Sequence, residues 1–150
     1  MKIALATDHN GETIKNEIKK YLISKNYEII DYSPNNNPLD DYSDFALKVG
    51  EAIKNGDATH GILLCGTGIG MSIAANKVLG VRCAHITNVN EAILAREHNN
   101  ANVMALGIKT NINELLKMID VFLTTHFSNE ERHFRRIDKI SKYEKGEYNV

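Results

Sequence analysis

The chain has 150 residues, 43% hydrophobic and 25% charged, which is the make-up of one ordinary globular domain and excludes a disordered or collagen-like polymer. With 18 basic and 19 acidic side chains the net charge is −1, so the broad basic field of a nucleic-acid grip is excluded as well. Two cysteines, Cys65 and Cys83, are too few for a disulfide framework, and no apolar run approaches the ~18 residues of a membrane span; a reduced, cytoplasmic setting without a membrane partner is expected.

Residues 2–7 read as a buried strand that stops at Asp8-His9-Asn10-Gly11. From Glu12, the apolar positions Ile14, Ile18, Tyr21 and Leu22 recur at helical spacing to about Lys25, and a second strand follows from Tyr27 to Tyr32. Ser33 to Asp41 carries both prolines and three consecutive asparagines, hence a surface loop. Phe45, Val49 and Ile53 mark a helix that Gly56 should stop. The run 61–65 is a third strand, which Gly66-Thr67-Gly68-Ile69-Gly70 turns into a helix from about Met71 to Lys77. Strands are expected at 81–86 and 101–107, with a helix from Asn90 to His98 between them. Leu115, Ile119 and Phe122 then stripe another helix, and a charged one spans about 129–143 with Phe134, Ile137 and Ile140 on its apolar side.

Strands alternating with helices imply right-handed crossovers and a parallel sheet covered on both faces. The expected fold is a single α/β domain over 1–150, a Rossmann-like three-layer α/β/α sandwich on a five-stranded parallel sheet. In a 2-1-3-4-5 strand order the ligand crevice lies beyond the carboxyl ends of strands one and three. Those strands end at Asp8-His9 and at Cys65-Gly66, so the topology and the chemistry select one place.

The loop 66–70 fits neither G-x-G-x-x-G nor the Walker A pattern, yet a glycine-rich strand-to-helix turn can bind an anion through free backbone N–H groups, with a merely tight turn as the alternative. Cys65 just ahead of it is more suggestive, because a thiol at a helix N-terminus has its thiolate favoured by the dipole and can act as base or nucleophile. A buried small hydrophobe is the ordinary alternative, and it is the reading for Cys83. The phosphatase spacing fails because Met71 stands where arginine is needed, and Leu63 breaks a nucleophile elbow. Proton transfer at carbon survives. Among the histidines, His9 sits in the predicted crevice and His98 closes a helix, whereas His60, His85, His126 and His133 read as packing residues. Arg132 and Arg136, at i and i+4, share a helix face and could clamp a phosphate. A nucleotide- or flavin-binding module and a redox cysteine are the competing classes.

Several stretches together resemble the B-type ribose-5-phosphate isomerase family, within the wider group that holds galactose-6-phosphate isomerase. They are Ala6 to Gly11, Gly61 to Lys77, Leu94 to Asn99 and Arg132-His133. The resemblance implies metal-free, cofactor-free interconversion of ribose 5-phosphate and ribulose 5-phosphate through an enediolate. It implies Cys65 as base, Thr67 with Gly66, Gly68, Ile69 and Gly70 as holders of the enediolate oxygens, His98 for ring opening and Asp8 for hydroxyl protons. His9, Arg132 and Arg136 would bind phosphate, with Tyr42 and Asn99 lining the sugar. Lys109 stands where the family often has arginine, another phosphate contact that keeps its charge and loses the bidentate fork. The resemblance further implies a homodimer with a shared site, or a dimer of such dimers, in which the last helix packs on the partner and His98 serves the neighbour's Cys65. Six-carbon sugar phosphates such as allose or galactose 6-phosphate are the alternative substrates.

Overall fold

The computed structural model describes residues 1–150 in the order β1 (Lys2–Thr7), α1 (Glu12–Ser24), β2 (Glu28–Asp31), α2 (Tyr42–Asn55), β3 (His60–Cys65), α3 (Ile69–Ala75), β4 (Cys83–His85), α4 (Val89–Asn99), β5 (Val103–Gly107), α5 (Ile112–Thr124) and α6 (Glu131–Glu144). Every expected element forms. Gly56 ends α2 in the left-handed conformation at φ 79°, as its lack of a Cβ allows. The glycine turn is tighter than expected, so α3 starts at Ile69, and β4 shrinks to three residues.

All five strands are parallel, in the order β2-β1-β3-β5-β4. The expected order of the last two strands is therefore corrected: β5 lies beside β3, and β4 takes the edge. Burial gives the reason. Val103 to Leu106 are fully buried, as a central strand of a parallel sheet requires, whereas Cys83, Ala84 and His85 are half-buried to exposed. The point where strand order reverses, between β1 and β3, is the same in either order.

Strand order then fixes the layers. The steps from β1 to β2 and from β4 to β5 run one way across the sheet, while those from β2 to β3 and from β3 to β4 run the other. With right-handed crossovers, α1 and α4 must cover one face and α2 and α3 the opposite one. The core divides accordingly. Ile18, Leu22, Ala92 and Ala95, joined by Leu115, Ile119 and Phe122 of α5, pack on Ile3, Leu5, Ile62, Leu64, Met104 and Leu106. Phe45, Ala46, Val49, Met71 and Ala75 pack on Ala4, Ala6, Leu63, Cys65, Val103 and Ala105. Strand alternation thus aims the Cys65 side chain at the α2/α3 face.

The exposed side of β4 has its own closure. The Asn76 amide donates from Nδ2 to the Cys83 carbonyl and accepts the Cys83 N–H at Oδ1, both at 2.8 Å. No helix is long and apolar enough to cross a membrane.

Candidate active site

The register of β1 and β3 pairs Thr7 with Leu64, so one step further on Asp8 and Cys65 stand side by side at the carboxyl edge of the sheet. Cys65 is buried, and its sulfur accepts the Gly68 N–H at 3.1 Å. That contact needs the turn: Gly68 has φ 82°, and a Cβ there would lie 2.9 Å from the Leu106 carbonyl carbon. The Ile69 N–H donates to Thr67 Oγ1 at 3.2 Å, while the N–H groups of Gly66, Thr67 and Gly70 donate to no backbone carbonyl. These free amides beside the sulfur are donors of the kind that receive anionic oxygen.

Tyr42, at the start of α2, lays its ring against this loop; a Cβ on Gly70 would come within 2.7 Å of it. Asp8 is buried and accepts the Asn10 N–H at 3.0 Å. His9, exposed at the tip, donates its backbone N–H to Asp40 Oδ1 at 2.9 Å and brings its Nδ1 to 2.8 Å from the same oxygen. Lys109 is exposed just beyond β5, whose Ile108 N–H donates to the Cys65 carbonyl at 3.0 Å. Asp8, His9, Tyr42, Cys65, Gly66, Thr67, Gly68, Ile69, Gly70 and Lys109 therefore meet at one end of the molecule.

The other four residues implied by the resemblance do not join them. A helix that follows one parallel strand and precedes the next runs back along the sheet, so α4 carries His98 and Asn99 to the amino ends of the strands. Strands of this length span roughly 17–20 Å. At that far end Arg82 donates to the Asn99 and Asn100 carbonyls at 2.9–3.1 Å and holds the end of α4 in place. The His98 and His133 rings lie 4.3 Å apart, centroid to centroid, with Ser128 Oγ 2.9 Å from His133 Nδ1. Burial, seconded by His98 and Arg132, pushes the His133 imidazolium below its ordinary pKa. Arg132 pairs with Glu130 at 2.8 Å, and Arg136 is exposed one turn further on.

Two residues at the Cys65 end escaped the sequence reading. His85 Nε2 sits 2.8 Å from the Thr67 carbonyl and ties the glycine turn to β4. Asp40 belongs to the stretch read only as a surface loop, and no periodicity or motif marks it. Cys83, by contrast, behaves as expected: burial pushes its thiol up to about 12, with a Ser72 hydrogen bond opposing. No cluster of three or more His, Cys, Asp or Glu side chains is placed to hold a metal. A cavity of about 350 Å³ lies away from Cys65, between α6 and β4, where Arg82, Asn99, Ile137 and Ile140 line it.

The sequence pattern of the Ribose/Galactose Isomerase family matches residues 3–140. The ribose-5-phosphate isomerase B of Escherichia coli is 39% identical over 144 residues, which cover 95% of this chain and 96% of that protein. A Clostridium thermocellum ribose-5-phosphate isomerase B structure superposes with a TM-score of 0.93 at 44% identity, covering 99% of this chain and all of the other. The Mycoplasma genitalium ribose-5-phosphate isomerase B structure, which holds bound ribulose-5-phosphate, gives a TM-score of 0.90 at 45% identity with 96% of each chain covered. An α/β sandwich with a thiol on an amide-rich turn, matched along nearly its whole length by these proteins, places the chain in the ribose/galactose isomerase family.

Proposed function

We propose that this isomerase interconverts D-ribose 5-phosphate and D-ribulose 5-phosphate through an enediolate, with Cys65 as the base. The observation that carries the reading is the Gly68 N–H on the Cys65 sulfur, with unengaged amides beside it. In the open-chain aldose the sulfur takes the proton from C2, and the electron pair moves through the forming C1–C2 double bond onto the C1 oxygen. Asp8 passes the O2 proton to O1, and the thiol returns its proton to C1 to leave a carbonyl at C2. Charge builds on oxygen during this exchange, and each fixed donor aimed at it contributes roughly 2.7–4 kcal/mol. The Thr67 hydroxyl and the unengaged amides of Gly66, Thr67 and Gly70 are those donors. Tyr42 and Asn99 flank the sugar, and His9, Lys109, Arg132 and Arg136 receive the phosphate. A cytoplasmic setting, where thiols stay reduced, suits such a base.

The site is completed by a second copy of the chain. His98, Asn99, Arg132 and Arg136 stand at the opposite end of the sheet from Cys65, beyond reach within one chain, so a two-fold dimer supplies them from the partner. The exposed Phe134, Ile140 and Tyr143 of α6 support a role for that helix in the contact. A coupled turnover assay on ribose 5-phosphate against allose and galactose 6-phosphates tests the substrate. Turnover of the pentose should exceed that of both hexoses; preference for a hexose phosphate overturns the assignment.

A further inference from the structure

We propose that Asp40 is a positioning residue for phosphate binding: it locks the His9 ring through Nδ1, leaving Nε2 as the only ring atom open to the substrate. This inference rests on the sugar-phosphate reading of the site. Its geometry is unusual for a surface loop. One carboxylate oxygen of Asp40 takes both the backbone N–H and the Nδ1 of His9, at 2.9 and 2.8 Å, so the ring is fixed relative to its own main chain.

The carboxylate is itself held. Asn36 Nδ2 donates to its other oxygen at 2.8 Å and to the Thr7 carbonyl at 3.0 Å, and the Asn37 N–H donates to that same second oxygen at 3.2 Å. Behind this loop, buried Lys15 donates to the Ser33 carbonyl at 2.6 Å, and Ser33 Oγ accepts the Thr7 N–H at 2.9 Å. The segment that carries Asp40 is therefore stitched to the end of β1 at several points.

The chemistry of the pair decides what His9 can do. Burial alone would raise the Asp40 carboxyl, but its hydrogen bonds from Asn36, His9 and Asn37 hold it at about 2. An ionised carboxylate only accepts, so the proton between the two groups sits on Nδ1. In the neutral ring Nε2 is then a bare lone pair, which a phosphate oxygen repels. Only the imidazolium presents Nε2–H to the phosphate. Asp40, and to a lesser degree Asp8, keep the ring protonated to higher pH than a free imidazole. Phosphate binding at His9 thus requires a proton on the ring, and Asp40 sets the pH up to which that proton is present.

The test compares the full-length enzyme with Asp40→Asn and Asp40→Glu, following kcat and KM for ribose 5-phosphate from pH 6 to 9 and the His9 titration by NMR. Asp40→Asn should raise KM about tenfold near pH 8 while kcat stays within about threefold. Its rise in KM with pH should begin nearer the ordinary imidazole range, in step with the His9 titration. Asp40→Glu, which restores a carboxylate, should recover part of the loss. An unchanged His9 titration and KM in Asp40→Asn overturn the proposal, and so does an equal fall in kcat and kcat/KM without a pH shift. Should the unmodified enzyme fail to turn over any sugar phosphate, the base reading falls by itself. The His9 titration still reports whether Asp40 holds the ring.

Discussion

The two ends of the sheet, on both of which the proposed site draws, are built differently. At the carboxyl end, strand alternation and a glycine turn aim a sulfur and a row of amides at one point, with little left to side-chain choice. At the amino end, the groups sit on helix ends: His98 and Asn99 close α4, Arg132 opens α6, and side-chain contacts such as Arg82 on the α4 carbonyls hold them. Backbone geometry does most of the placing at the Cys65 end, and side-chain contacts do it at the His98 end. Substitutions should therefore act on the two ends by different routes.

The largest effect should come from Cys65→Ala, with turnover falling by about 10²–10⁴ in a coupled assay while circular dichroism stays unchanged. Retained activity would break the division at its root. The shared-site arrangement is sharpened by mixing inactive Cys65→Ala with an inactive His98→Asn protein. Random exchange between dimers should restore about a quarter of the activity, because half the dimers are hybrids with one intact site each. No recovery despite proven exchange would place both ends in one chain's site. Gly68→Ala should cost about 1–2 kcal/mol of stability at its positive φ, read in a denaturant melt, and lower turnover with it, since the amide facing Cys65 moves. His85→Ala, which frees the Thr67 carbonyl, should lower kcat about tenfold and leave the melting temperature nearly unchanged.

The smallest effect belongs to the amino end and to pH. His60 packs edge-on to Phe122, and burial, with Arg96 and the N-terminus adding to it, pushes its imidazole down to about 4. A histidine whose folded value is depressed favours the fold above its unfolded value of about 6.5 and loses that contribution as pH falls toward 4. Melting temperatures should therefore drop between pH 6.5 and 4, and less steeply in His60→Gln.

Legibility followed the same division. The meeting of Asp8 and Cys65 at one edge is readable because β1 and β3 are continuous apolar runs that end in polar and glycine-rich loops, and those features are local. The placement of β4 at the edge was not read, although Arg82 and His85 bracket a short, half-exposed strand that suits an edge better than the wholly apolar β5. Asp40 and His85 were missed because their partners, His9 and the Thr67 carbonyl, are 31 and 18 residues away in the chain. No pattern within one segment encodes such pairs. Helical spacing puts Arg132 and Arg136 on one face of α6, yet nothing in that spacing tells which end of the sheet they occupy.

The Asn76 amide on Cys83 reaches beyond its own strand. A side chain that takes both the donor and the acceptor of an outermost residue imitates a neighbouring strand, so one of the two open margins of the sheet is denied to any foreign β-segment. A second copy of this chain therefore finds fewer open backbone groups for strand-to-strand stacking along that margin.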